Sequence, residues 1–231
     1  MFSLIVGFWK LFFRRSEFQV LIVGVDGAGK TSVLEQIKAI YNGLEPLPPG
    51  KIPPTVGLNI GRVRADRANL IFWDLGGARS LRSLWEKYYN EAHGLLYVVD
   101  AADRARLDES RDVLQQLMNN ADLQGIPLLV LANKQDAEGA ATAHEVQERF
   151  GLQHAQGEGG SSQPQNVLGV TAINGEGIEE GVRWLVESRT RNRARAQTSP
   201  SPNPDPNPDP NRRCAGSSRH SRAHHVLSLC R

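Results

Sequence analysis

Apolar and polar positions fall into two periods along residues 18–188, and their alternation predicts strands interleaved with helices. Residues 18–24 (FQVLIVG) are an apolar run ending in a glycine-rich turn, the pattern of a buried strand. Residues 30–41 read as a helix. Residues 58–65 and 68–74 read as two strands joined by Asp66-Arg67, a connection so short that the pair must be antiparallel. Residues 93–100, 126–133 and 166–171 are further apolar strands, and helical patterns fill 81–91, 104–120, 142–150 and 176–188. This order predicts an α/β fold: a six-stranded, mostly parallel sheet flanked by helices, with one antiparallel edge.

Two polar interruptions break the pattern. Residues 42–54 hold five of the thirteen prolines and read as a loop, and residues 151–165 (GLQHAQGEGGSSQPQ) as a surface insertion. Past Ser188 the chain turns arginine-rich and then runs SPSPNPDPNPDPN over 199–211. Proline at every second position rules out helix and sheet, so residues 189–231 read as a disordered Arg/Pro-rich tail.

At the other end, Ser3, Gly7, Lys10 and Arg14 are spaced four, three and four apart, one stripe on a helix whose remaining positions are apolar. The run is too short to span a bilayer, which takes about 20 residues. Its basic residues follow the apolar stretch instead of preceding it, and no small-residue cleavage site follows, so a signal peptide does not fit. A helix lying in a membrane interface does. The alternative is a helix packed in a groove of its own domain. The expected organisation is an amphipathic N-terminal helix over 1–15, one domain over 16–188, and the tail over 189–231.

Charge sharpens that division. The tail holds nine basic and two acidic residues, leaving eighteen basic and twenty-three acidic in the remainder. A mildly acidic body argues against nucleic acid as a partner. Both cysteines, Cys214 and Cys230, lie in the tail, so the body has no disulfide framework, and a reducing compartment is expected.

The strongest chemical signal is Gly24-Val25-Asp26-Gly27-Ala28-Gly29-Lys30-Thr31, which fits G-x-x-x-x-G-K-[ST] between a strand and a helix. In that context backbone N–H groups of the loop and helix start converge on phosphate oxygens. Gly29 lets the backbone approach, Lys30 neutralises the β- and γ-phosphates, and the Thr31 hydroxyl ligates Mg²⁺. Ser32 extends the same phosphate-facing turn. Asp74-Leu75-Gly76-Gly77 ends a strand, where Asp74 can hold Mg²⁺ through a water and the Gly77 N–H can meet a γ-phosphate. Asn133-Lys134-Gln135-Asp136 ends another. Guanine presents N1–H and N2–H₂ side by side to a carboxylate, whereas adenine offers an acceptor at N1, so Asp136 selects guanine. A buried pair of this kind discriminates by roughly 10⁴–10⁵. Asn133 is placed to bridge the base side to the phosphate loop, and the Lys134 stem to lie on the ring. At Thr171-Ala172-Ile173 a backbone N–H can reach guanine O6. Together these make a GTP-binding set rather than an ATP one.

In these motifs, with Pro54-Thr55-Val56-Gly57-Leu58-Asn59 and Phe72-Trp73-Asp74-Leu75-Gly76-Gly77, residues 1–188 resemble the ADP-ribosylation factor (Arf) family of small GTPases. Within it they most resemble the Arf-related subgroup, through Phe2 in place of the usual glycine, the long loop before Thr55, and Gly57-Leu58-Asn59-Ile60-Gly61. The resemblance implies that Thr55 joins Thr31 on Mg²⁺ in the GTP state, making 42–57 and 76–91 the two switch segments. It implies that the hairpin 58–74 slides between nucleotide states, and that GTP expels the N-terminal helix onto a membrane. Leu58, Trp73 and Tyr88 match an effector-binding cluster. The implied partners are an exchange factor, a GTPase-activating protein, effectors and an integral membrane receptor. The implied place is the cytoplasmic face of Golgi and trans-Golgi membranes, in vesicle trafficking, for a monomeric protein.

Two departures from the family matter. Its water-orienting glutamine is replaced by Ala78, which has no donor or acceptor. Arg79 follows, but a guanidinium cannot accept the water's proton, so no catalytic residue is assigned. Phe2 excludes N-myristoylation, and no cysteine stands four from the C-terminus for prenylation. Membrane attachment then falls to the helix itself, Arg14 and Arg15, N-terminal acetylation or a receptor. The expectation is a GTP-dependent switch with slow hydrolysis; the alternative is a GTP-binding scaffold that does not hydrolyse.

Overall fold

The computed structural model describes residues 17–65, 68–152 and 163–198. The expected amphipathic helix of residues 1–15, the Asp66-Arg67 turn, most of the 151–165 insertion and the tail from residue 199 on lie outside the described residues.

Among the described residues six strands form one sheet: β1 (Glu17–Val23), β2 (Leu58–Ala65), β3 (Ala68–Leu75), β4 (Gly94–Asp100), β5 (Leu128–Asn133) and β6 (Gln165–Gly169). Their order is β2-β3-β1-β4-β5-β6. Only β2 pairs antiparallel, with β3, as the two-residue connection requires. The central strands β4 and β5 are almost wholly buried, which is why they read as continuous apolar runs and not as alternations. The described residues also form four α-helices: α1 (Lys30–Asn42), α2 (Leu107–Met118), α3 (Ala143–Phe150) and α4 (Ile178–Thr198). Helix α3 begins on a reciprocal cap, the Thr142 hydroxyl accepting from the Glu145 N–H and the Glu145 carboxylate from the Thr142 N–H.

The hairpin β2–β3 packs on α1 through Gly61. A Cβ there would lie 2.4 Å from Leu34 Cδ1, so the absence of a side chain sets how closely the strand and helix meet. Trp85, Tyr97, Phe18 and Phe72 are the largest fully buried side chains. The two with polar tips are satisfied: Trp85 Nε1 donates to the Gly76 carbonyl (2.9 Å) and Tyr97 Oη to that of Ser110 (2.7 Å).

Two elements differ from expectation. Residues 81–91 lie within a 3₁₀ segment, Arg79–Glu91, and do not form an α-helix. Its start is pinned by side chains reaching back to the preceding turn, Trp85 to Gly76 and Arg82 Nε to the Gly77 carbonyl (3.0 Å). The last helix does not stop at Ser188 but continues to Thr198, so the first residues assigned to a disordered tail are helical. Arginine and alanine are good helix formers, and cations suit a helix C-terminus. Arg189 also fastens this turn to the body, its Nη2 donating to the Glu17 carbonyl (2.9 Å) and its guanidinium lying 4.6 Å from the Phe18 ring centre.

Candidate functional site

Parallel strands end together, so β1, β3, β4 and β5 deliver Gly24, Asp74, Asp100 and Asn133 to one edge of the sheet. Ligands bind at such edges in open α/β sheets. The turn after β1 is shaped by glycines. A Cβ at Gly24 would lie 2.3 Å from the Val98 carbonyl oxygen, and Gly29 adopts φ 89° immediately before α1. No side chain caps that helix start, so its first N–H groups remain open to an anion.

Lys30 is buried beneath the loop and donates through Nζ to the carbonyls of Gly24 (3.0 Å) and Val25 (2.8 Å). Burial pushes its ammonium down to about 8, against the upward pull of Asp74 and Asp26. Gly77 presses on the same loop: a Cβ there would sit 2.4 Å from Lys30 Nζ and 2.6 Å from the Asp26 nitrogen. Thr31 Oγ1 donates to Asp74 Oδ2 (2.7 Å) and lies 2.7 Å from Thr55 Oγ1, which is itself 3.4 Å from the same carboxylate oxygen. Asn59 Nδ2 completes this group at 3.5 Å from Asp74 Oδ2. Asp74 is fully buried, and its other oxygen, Oδ1, has no hydrogen-bond partner. Burial raises its pKa, with the Thr31 hydroxyl and Lys30 opposing. A buried carboxylate with an orphaned oxygen beside two hydroxyls is a set of hard oxygen donors, and it fits Mg²⁺.

The cavity over this group measures about 360 Å³ and is lined by Asp26, Gly27, Gly29, Lys30, Thr31, Ser32, Thr55, Gly77 and Ala78, with Ile52, Pro53 and Pro54 as one wall. The proline-rich stretch, expected as a loop within the first switch segment, folds over the site to form this wall. Toward the base side, Asn133 Nδ2 donates to the Ala28 carbonyl (2.9 Å), and its Oδ1 accepts from the Ala172 N–H (3.0 Å). Asn133 thus ties the phosphate loop to the 171–173 turn, where Ile173 is exposed. Lys134 holds a left-handed backbone, φ 68°, with its ammonium on Asp100 Oδ2 (2.5 Å). Asp136 is exposed.

An arginine network on the other flank is absent from the sequence reading. Arg106 Nη2 donates to Asp26 Oδ1 (2.8 Å) and its Nε to Glu109 Oε2 (3.1 Å). Arg82 Nη2 reaches Glu109 Oε1 (3.0 Å) while its Nε holds the Gly77 carbonyl. Arg82, with Arg106 and Arg79, holds the Glu109 carboxyl down to about 2. Arg79 also points at Glu109, with Nε 3.3 Å from Oε1.

Leu58, Trp73 and Tyr88 are brought together. Trp73 and Tyr88 have ring centres 5.6 Å apart, and Trp73 stands opposite Ile60 in the β2–β3 register, two residues from Leu58 on the same face. Ile60 belongs to this patch too and is 42% exposed. Strand alternation from Leu58 would have identified it.

Residues 5–189 match the ADP-ribosylation factor (Arf) family. The chain belongs to this family. It is 41% identical over 200 residues to ADP-ribosylation factor-related protein 1 of Bos taurus, covering 83% of this chain and 94% of the relative. The corresponding human protein is 40% identical over 200 residues with the same coverage. ADP-ribosylation factor-like protein 3 of Saccharomyces cerevisiae is 37% identical over 193 residues, covering 80% of this chain and 92% of that protein. Among solved structures, the Arl6 BBS3 small GTPase from Trypanosoma brucei with bound GppNp superposes with a TM-score of 0.65 at 33% identity, covering 77% of this chain and 99% of that one. The chain is therefore an Arf-like small GTPase, a GTP-binding switch of a family that works with exchange factors, activating proteins and effectors. Among the described residues, no helix of this Arf protein is long and apolar enough to cross a membrane.

Proposed function

We propose that this Arf-like switch binds GTP with Mg²⁺ at the cavity over Lys30 and Thr31, recruits effectors to Golgi and trans-Golgi membranes while GTP is bound, and hydrolyses it slowly. The observation that carries this is the meeting of Thr31, Thr55 and Asp74 beneath the phosphate loop, the arrangement that the family resemblance implies for the GTP state. Gly24, Asp26, Gly27, Ala28, Gly29, Lys30, Thr31, Ser32, Thr55 and Gly77 hold the phosphates. Asn133, Lys134, Asp136, Ala172 and Ile173 hold the base. Thr31, Thr55 and, through water, Asp74 hold Mg²⁺, which supplies charge neutralisation between the phosphates when bound. The Leu58, Trp73 and Tyr88 patch receives effectors. The N-terminal segment, docking through an integral membrane receptor, makes the membrane contact.

The test is displacement of a fluorescent guanine nucleotide, with Mg²⁺ present, together with flotation on liposomes. GTP and GDP compete and ATP does not. The protein bound to a non-hydrolysable GTP analogue floats more than the GDP form. Equal competition by ATP refutes the site reading, and equal flotation refutes the membrane reading.

A second reading, a GTP-binding scaffold without hydrolysis, is favoured by one observation. Ala78 lines the cavity where the family has glutamine, and the neighbouring Arg79 is turned onto Glu109. Single-turnover hydrolysis with and without cell extract separates the two.

A further inference from the structure

Helix α4 continues to Thr198, beyond residue 189 where the family match ends. From Arg189, the last matched residue, to Thr198 the helix carries arginines at 189, 191, 193 and 195 and no acidic residue. Four like charges within seven residues, with no acidic residue among them, repel one another along the chain. A helix this rich in cations gains from a facing anionic surface.

Its place in the fold says which surface. Arg189 is bound to the Glu17 carbonyl and lies over Phe18, so this turn is fastened to the start of β1. Glu17 is where residues 1–16 join the domain, and those residues hold the apolar run 2–13 followed by Arg14-Arg15. Two basic stretches of sequence, one of them led by an apolar run, therefore join an otherwise acidic body at adjacent points, Glu17 and Arg189. A bilayer that takes up the apolar run lies within reach of the arginine helix, whereas a nucleic acid would leave that run without a use.

We propose that the arginine-rich extension of α4 is a contact for anionic lipid headgroups, adding electrostatic attachment to that of the N-terminal segment. This deepens the membrane half of the switch reading and rests on it.

The test is flotation of the full chain, loaded with a non-hydrolysable GTP analogue, on vesicles of phosphatidylcholine alone and of phosphatidylcholine and phosphatidylserine at roughly two to one. The variant Arg191→Gln/Arg193→Gln/Arg195→Gln leaves Arg189 in place and keeps helix propensity. Its binding to the anionic vesicles falls on the order of a hundredfold at low salt, about fivefold per arginine. Its binding to neutral vesicles and its nucleotide affinity stay as in the parent. A parent that floats equally on both compositions overturns this inference alone, and one that floats on neither overturns the membrane reading with it. Unchanged binding of the variant to anionic vesicles overturns the inference. So does an arginine-dependent affinity for duplex DNA or RNA with lipid binding unaffected.

Discussion

Thr31 and Thr55 face each other with hydroxyl oxygens 2.7 Å apart, although one opens α1 and the other lies in the loop before β2. Both reach the same oxygen of the buried Asp74, whose second oxygen has no partner. The hydroxyl–hydroxyl hydrogen bond and the contact of Thr55 with Asp74 hold the loop threonine there. Gly77 packs against the phosphate loop beside them.

From this pairing, Thr31→Asn weakens GTP binding in Mg²⁺ by roughly tenfold to a hundredfold, the scale on which metal sites respond to lost support. GDP binding falls less, because the diphosphate draws less on the Thr55 side of the site. Nucleotide titrations with and without EDTA check it. Equal GTP affinity in variant and parent contradicts the assignment of Thr31.

Lys30 gives a prediction in pH. Burial sets its pKa to about 8 in the nucleotide-free chain, and phosphate charge raises it in the complex. Below about pH 8 the ammonium is charged in both states, so affinity is flat. Above it, binding takes up a proton and affinity falls by up to about tenfold per pH unit. Lys30→Met binds roughly tenfold to a hundredfold more weakly at neutral pH and lacks the break. Calorimetry across pH 7–9 in two buffers reads the proton uptake directly; a parent profile matching Lys30→Met contradicts it.

Base selection rests on Asp136. Asp136→Asn replaces one acceptor oxygen by an N–H donor, costing guanine on the order of a hundredfold and gaining affinity for xanthine, whose C2 carbonyl accepts where guanine donates. Competition between GTP and XTP for the same site measures the exchange. No gain for XTP means that Asp136 does not hold the base edge.

Much of this site was legible because strand ends can be found from apolar runs, and in a parallel sheet strand ends meet. Gly24, Asp74 and Asn133 each follow such a run, so their convergence followed from fold class before any contact was known. The antiparallel hairpin followed from the Asp66-Arg67 connection. The Asp26–Arg106 pair was not legible, since the partners are 80 residues apart and no spacing rule links a turn residue to a distant helix start. The 3₁₀ character of Arg79–Glu91 was hidden because buried Trp85 and Tyr89 are four apart, a spacing that an α-helix would also give. The helix over residues 189–198 was misread through composition. Dense arginine beside a proline-rich run resembles a solvated tail in composition, while the tie from Arg189 to Glu17 and Phe18 is tertiary.

Ala78 supports the last prediction. The parent hydrolyses GTP barely above background, and Ala78→Gln accelerates it on the order of a hundredfold. Ala78 lines the cavity beside Gly77, so a longer side chain there enters the space where water must approach the terminal phosphate. Glutamine both accepts from that water and donates to it, which fixes the attack direction; alanine does neither. The neighbouring cations do not substitute, because Arg79 and Arg82 are engaged by Glu109, and a guanidinium has no acceptor. Binding is unaffected, since Lys30, Thr31 and the Gly77 backbone are untouched. The gain therefore falls on the chemical step alone. An arginine from an activating partner stabilises charge without aligning water, so it rescues the parent only in part. Phosphate release in a single turnover, at matched nucleotide occupancy, separates these effects. A parent as fast as Ala78→Gln shows that another residue positions the water, and Asp26, the carboxylate lining the cavity, is then the first to replace by asparagine.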